Sequence, residues 1–281
     1  MLIDNIANLS LDTLICPVSR EPLAIFGDSL ITDSGYIFPE GDFRVVSSDA
    51  QSKTWAEGQK HYESFEHNWI TNSMEFYEAI DKETAEIYEK FKLKGLVLDV
   101  GGGYGTLVKQ ASLDPSRVIV IDAMVRKWDE IPNFNYKVHY KELSKVVRIP
   151  GFAEDLPFKN RSFDTIHMRS CLDHFANPYR ALLEARRVLK KDGSLIIGLM
   201  LEGGFKLEEA KLMNWIKKKI KKSFIGELHE HLFDKHIFHP TEHNLKLLID
   251  KTGFKIEKWI FQTGYHNVVY LEAKIEDMKS N

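Results

Sequence analysis

Leu96-Val97-Leu98-Asp99-Val100-Gly101-Gly102-Gly103-Tyr104-Gly105 decides how the rest of this 281-residue chain is read. An apolar run ends in an acid, passes straight into a glycine cluster, and is followed by helical character through Leu107 to Ala111. Glycine lets the backbone turn tightly and lets a ligand come into contact with the main chain. The start of the next helix offers unpaired N–H groups. Strand, bare loop and helix in that order predict a ligand cradle at the carboxyl end of a sheet strand.

The spacing is Asp-x-Gly-x-Gly-x-Gly, and the acid matters. Asp99 beside the loop would repel a pyrophosphate and suits a ligand with a cationic end, such as an amino-acid ammonium or a sulfonium. That favours S-adenosylmethionine over a dinucleotide as cofactor. A second acid, Asp122, closes the apolar run Val118–Ile121. It follows at about the twenty-residue interval expected of a carboxylate that takes ribose hydroxyls.

Outward from this loop, strand candidates lie at Leu96–Val100, Val118–Ile121, Val146–Ile149, Phe163–Met168, Ser194–Leu199, Lys255–Phe261 and Val268–Ala273. Helical stretches intervene, clearest at Pro178–Leu189 and Thr241–Lys251. Such alternation predicts an α/β, Rossmann-like domain: a mostly parallel seven-stranded sheet with helices on both faces. The last two candidates are close together and predict an antiparallel pair at one edge. Upstream, Phe65, Trp69, Phe76, Tyr77, Ile80, Ile87, Tyr88 and Phe91 recur at mostly helical spacing, with Asn72 or Ser73 as a cap. Residues 47–60 are polar and read as a linker, and residues 11–46 as short β-like runs broken by Pro17, Gly27, Gly35 and Gly41. The expected division is a small β-rich module at 1–48, a linker and lid helices at 49–92, and the cofactor domain at 93–281.

At this point the residues resemble the class I methyltransferases, in particular the broad group that includes the ubiquinone and menaquinone biosynthesis enzymes. Gly151-Phe152-Ala153-Glu154-Asp155-Leu156-Pro157-Phe158 with Ser162-Phe163-Asp164 is similar to a family signature. So are Arg187-Val188-Leu189-Lys190-Lys191-Asp192-Gly193 and Phe238-His239-Pro240-Thr241 with Gly253-Phe254. The resemblance implies that Asp99, Gly101, Gly102 and Gly103 meet the amino-acid end of the cofactor. It places Asp122 and Ala123 at the ribose, Ala153 and Glu154 beside the adenine, and Arg169 or Ser170 near the methyl donor. Phe152 departs from the family's aspartate. An aromatic ring packs on adenine but cannot accept a hydrogen bond from its amine, leaving Glu154 or Asp155 to compensate.

Methyl transfer is an in-line displacement in which the protein supplies alignment and exclusion of water. The stretch Arg169-Ser170-Cys171-Leu172-Asp173-His174 leaves a strand at its carboxyl end. There His174 is a candidate base and Asp173 its candidate orienter, while Cys171 reads as a small buried apolar residue. His229, His231, His236, His239 and His243 form a cluster without the spacing of a helical zinc site, so no metal is expected, and pocket lining is the alternative. Phe205 to Lys222 is amphipathic and basic. It reads as a helix over the active site or, through Lys217–Lys222, as a peripheral contact with anionic lipid.

The N-terminal segment, with Cys16-Pro17-Val18-Ser19 and Ser34-Gly35-Tyr36, is similar to small zinc-ribbon modules that accompany some RNA and protein methyltransferases. Ser19 stands where a second cysteine belongs, and Ile31 and Ser34 stand for the second pair. One thiolate cannot build a tetrahedral zinc site, so the expectation is a zinc-free remnant held by apolar packing.

Composition narrows the rest. Cys16 and Cys171 are the two cysteines and exclude a disulfide framework; a net charge of −3 weakens general nucleic-acid binding. No apolar run reaches the ~18 residues of a membrane span, and the start lacks a signal-peptide pattern, so a cytoplasmic protein is expected. The leading expectation is methylation of a small molecule or of a lipid- or sugar-linked metabolite. An RNA methyltransferase and a non-catalytic scaffold are the alternatives, and no feature sets an oligomeric state.

Overall fold

The computed structural model describes residues 13–44, 72–124, 134–201, 237–262 and 267–276. The expectations for the linker at 47–60, Phe65, Trp69, Phe205–Lys222, His229, His231 and His236 lie outside the described residues.

Seven strands form one sheet: β4 (Val97–Val100), β5 (Val118–Asp122), β6 (Val147–Pro150), β7 (Phe163–Arg169), β8 (Leu189–Met200), β9 (Phe254–Phe261) and β10 (Val268–Ile275). Their order is β6-β5-β4-β7-β8-β10-β9. The pairings from β6 across to β8 are parallel, and β10 runs antiparallel to both β8 and β9. The expected pair at the edge is therefore present, with β10 inserted inside β9. The chain reverses its progression across the sheet between β4 and β7, which opens a crevice at their carboxyl ends. Val97–Val100 and Val118–Ile121 are buried throughout, as central parallel strands covered on both faces must be.

Strand β8 begins at Leu189 rather than at Ser194. The Asp192-Gly193 pair reads as a turn, yet Leu189 pairs with Phe163 and a register shift between Phe163 and Thr165 absorbs the intervening residues. Helix α4 (Pro178–Val188) ends one residue short of the expected Leu189 for the same reason. Helix α1 (Met74–Tyr88) is capped by Ser73, whose side chain accepts from the Phe76 N–H. Helix α2 (Leu107–Gln110) follows the glycine loop, α3 (Phe134–His139) precedes β6, and α5 (Glu242–Lys251) precedes β9. No described helix is long and apolar enough to cross a membrane.

The N-terminal module is a three-stranded antiparallel sheet of β1 (Ala24–Phe26), β2 (Ser29–Ile31) and β3 (Ile37–Pro39). Leu14, Cys16, Leu30, Phe38 and Phe43 belong to the same buried cluster as Ile149, Phe158 and Phe163 of the large domain. Backbone bonds join the two parts: Ile15 N–H to Pro157 O, Lys159 N–H to Thr13 O, and Phe43 N–H to Pro150 O at 2.8 Å. Ser19 and Ser34, at the cysteine positions of the zinc-ribbon pattern, both donate to the Glu21 carboxylate. A polar clasp thus adds to the apolar packing expected there. Among the described residues no His, Cys, Asp and Glu group could hold a metal ion.

Candidate active site

The crevice holds a cavity of about 540 Å³ whose floor is the glycine loop. Every residue named above for the cofactor lines it: Asp99, Gly101, Gly102, Gly103, Asp122, Ala123, Phe152, Ala153, Glu154, Arg169 and Ser170. Gly101 has φ of 67°, and a Cβ there would stand 2.6 Å from Cys171 Cβ, so neither the conformation nor the space admits a side chain. Gly103 has φ of 54°, and a Cβ there would meet nothing within 4 Å; its bare backbone faces open space.

Two acids flank this floor. Asp122, at the end of β5, accepts from Gly103 N–H at 2.9 Å and Met124 N–H at 2.7 Å, which clips the loop to the neighbouring strand. Burial pushes its carboxyl up, while these two N–H bonds pull it down. A carboxylate has about four acceptor sites, so capacity for a diol remains. Asp99 is buried and accepts from His167 Nδ1 at 2.7 Å; His167 Nε2 meets the Tyr88 hydroxyl at 2.7 Å. On the same face of β7, Arg169 donates to Gln110 Oε1 at 2.9 Å. Burial opposes the Arg169 charge, and Tyr88, Tyr270 and Asp99 more than offset that.

Helices α1 and α3 wall the other side. Ile80, Tyr104 and Tyr136 reach the cavity. Tyr136 packs against Tyr77, Tyr104 and Tyr140 with centroid separations of 5.4, 5.5 and 4.8 Å. Behind them Asp81 takes a hydrogen bond from Tyr140 at 2.9 Å and meets His139 Nε2 at 2.8 Å.

Four of the residues expected near the site stand apart from the cavity. Asp173 does not line the cavity, and its Oδ1 lies 3.6 Å from His174 Nε2, too far for an orienting hydrogen bond. The Asp173 peptide oxygen instead accepts from Ile237 and Phe238 N–H, tying this turn to the segment before α5. Asp155 cannot compensate for Phe152 because it pairs with Arg180 at 2.5 Å, away from the cavity. Finally, His239 and His243 are exposed around the start of α5 and do not reach the cavity. His174 does line it. Cys171 donates to Val100 O at 3.2 Å, and burial pushes its thiol well up, which removes it as a nucleophile.

Glu154 Oε1 accepts from Asn177 N–H at 3.0 Å, and burial pushes its carboxyl up. A carboxyl raised on folding destabilises the fold once ionised, so stability is lost as pH rises through its folded titration. Glu154→Gln keeps an acceptor for Asn177 and removes the charge. The ligand-free variant is expected to melt above the wild type at pH 8, with the gap closing as pH falls below the carboxylate range. Differential scanning calorimetry across pH checks this; a lower melting temperature at pH 8 would contradict it.

Sequence reasoning missed His167, Tyr88 as a polar partner, and Gln110. The only signal was a histidine inside the apolar run Thr165-Ile166-His167-Met168.

A family model described as a methyltransferase domain matches residues 73–258. A ubiquinone/menaquinone biosynthesis C-methyltransferase of Blochmanniella pennsylvanica is 32% identical over 167 residues, which are 57% of this chain and 65% of that protein. A chloroplastic 2-methyl-6-phytyl-1,4-hydroquinone methyltransferase of Oryza sativa is 37% identical over 114 residues, 40% of this chain and 30% of the relative. The chain thus spans less than two thirds of either relative's length. Among solved structures, a Burkholderia thailandensis 1,6-didemethyltoxoflavin-N1-methyltransferase with bound S-adenosylhomocysteine superposes with a TM-score of 0.51. Its sequence identity is 15%, over 92% of this chain and all of that one.

Proposed function

The chain belongs to the methyltransferase-domain family, whose cofactor is S-adenosylmethionine, and from that premise we propose that it methylates a small, largely apolar acceptor with a planar ring, of the hydroquinone class. The observation that carries the proposal is the cavity itself. A buried acid and a backbone-clipped acid border a floor without side chains, and a wall of Ile80, Tyr104, Tyr136 and Phe175 offers apolar and aromatic surface to an acceptor. The donor set fits the cofactor: Asp99 for an ammonium, Asp122 for a diol, Ala153 and Phe152 for an adenine face. When bound, the cofactor supplies an electrophilic methyl group. The names of the Blochmanniella and rice relatives support a quinol acceptor.

The chain's own residues have limited chemistry to perform. The apolar wall excludes water and aligns the ring, and alignment of that kind supplies a large share of what a protein contributes to such a displacement. A ring carbon or hydroxyl becomes a better nucleophile when a hydroxyl proton leaves, and the role of accepting it is assigned here to His174, which lines the cavity on the turn after β7. Asp173 stands too far away to orient it, so His174 is expected to contribute about tenfold, less than the roughly 10²–10⁴ of an oriented base.

Calorimetric titration with S-adenosylhomocysteine, followed by transfer of labelled methyl to a panel of alkyl hydroquinones, tests the proposal. Saturable binding with quinol-dependent transfer is expected, and His174→Gln should slow transfer without altering the binding constant. Tight cofactor binding with no transfer to any quinol would discard the acceptor class, and absence of binding would discard the cavity as the cofactor site.

A further inference from the structure

Two adjacent sheet strands place a histidine against the acid of the glycine loop, since Asp99 on β4 stands opposite His167 on β7. His167 Nδ1 lies 2.7 Å from Asp99 Oδ1, and its Nε2 lies 2.7 Å from the Tyr88 hydroxyl, with all three side chains buried. The charged and titratable groups around this chain of bonds come from every neighbouring element. Asp99 comes from β4 and Tyr88 from α1; Arg169 on β7 and Tyr270 on β10 interact with Tyr88 and with each other; Asp122 on β5 and Cys171 after β7 interact with Asp99.

Hydrogen bonding admits two arrangements: a neutral Nδ1–H ring that accepts from Tyr88, and a doubly protonated ring that donates to it. An ionised carboxylate only accepts, so Nδ1 must carry a proton toward Asp99. The Tyr88 phenol, held protonated by burial, donates to Nε2. The tautomer of an imidazole is set by the bond its other nitrogen makes, and a second buried cation beside Arg169 would carry a large desolvation cost.

We infer that His167, fixed by Tyr88 as the neutral Nδ1–H tautomer, is a positioning residue that orients the ionised Asp99 carboxylate toward the amino-acid tail of the cofactor. This rests on the cavity being the S-adenosylmethionine site. Asp99 borders that cavity.

Two ligands separate the tail from the rest of the cofactor: S-adenosylhomocysteine, which carries it, and 5′-methylthioadenosine, which does not. His167→Leu is expected to weaken the first roughly tenfold, as loss of a charge-assisted hydrogen bond does, and to leave the second within a factor of two. His167→Asn restores a donor to Asp99 and should recover the lost affinity. Equal weakening of both ligands in His167→Leu, or no recovery in His167→Asn, would overturn the inference. Failure of wild type to bind either ligand would overturn the cofactor site instead. Nitrogen-15 histidine spectra of the unliganded wild type at pH 7.5 supply a test that needs no variant: the Nδ1–H signature is expected for His167, and an Nε2–H or doubly protonated ring rules the inference out.

Discussion

Asp99→Asn is expected to weaken S-adenosylhomocysteine binding by about a hundredfold, the upper end of what one charge-assisted hydrogen bond supplies at ~1.5–3 kcal/mol. The substitution is nearly isosteric, and the amide oxygen still accepts from His167 Nδ1, so the buried chain to Tyr88 keeps its hydrogen bonds. What disappears is the negative charge on a side chain that is 2% exposed. In so dry a position a charge is poorly screened, so its loss registers far more than a surface carboxylate's would. Calorimetry reads the affinity, and circular dichroism shows that the fold survives. A change below twofold would mean that the ammonium is held elsewhere, and an acid beside a bare loop would then say nothing about the ligand's charge. Raised salt should leave the wild-type affinity nearly unchanged, because ions cannot enter between a buried acid and its ligand.

The loop and its acid were legible because all their determinants are local. A buried strand, four glycines and a carboxylate lie within ten residues, and each carries its meaning in its own chemistry. The parallel strands were legible for a similar reason: runs such as Val118-Ile119-Val120-Ile121 have no polar face and must be covered on both sides. Register was not legible. Asp99 and His167 are 68 positions apart and meet only through the pairing of β4 with β7. Nothing in Thr165-Ile166-His167-Met168 states which neighbour the imidazole will face.

In two places adjacency along the chain does not fix where side chains point. Asp173 and His174 are consecutive, yet in the 3₁₀ turn Leu172–His174 their side chains do not hydrogen bond to each other. Asp155 follows Glu154, yet one carboxylate turns to Arg180 and the other to the cavity wall. In both cases the backbone conformation, not the spacing along the chain, sets the direction of the side chain. Strand β8 shows the converse: Asp192-Gly193 carries a turn signal, yet it lies inside a strand, where the pairing with β7 shifts register between Leu189 opposite Phe163 and Ser194 opposite Thr165.

Phe43→Ala is expected to lower the stability of the whole chain by about 3–5 kcal/mol, the usual cost of emptying a buried phenylalanine site. Phe43 is fully buried and lies in the shared core of module and sheet domain, where its ring packs on Phe38 at 4.9 Å. Its backbone pairs beside β6, donating to Pro150 O and bridging to Gly151. Gly151, Phe152, Ala153 and Glu154 then line the cavity. A Cβ at Gly151 would stand 3.6 Å from Phe43 Cβ, so the N-terminal module stands directly behind the segment proposed for the adenine. Two readouts should therefore move together. Denaturant unfolding should remain a single transition at lower midpoint, because one core cannot lose part of its packing without loosening the rest. The affinity for 5′-methylthioadenosine should fall, although Phe43 is absent from the cavity wall. An independent early transition with unchanged adenine affinity would show that the module folds by itself and only leans on the domain. A coupled loss would show that it is a structural part of the cofactor site.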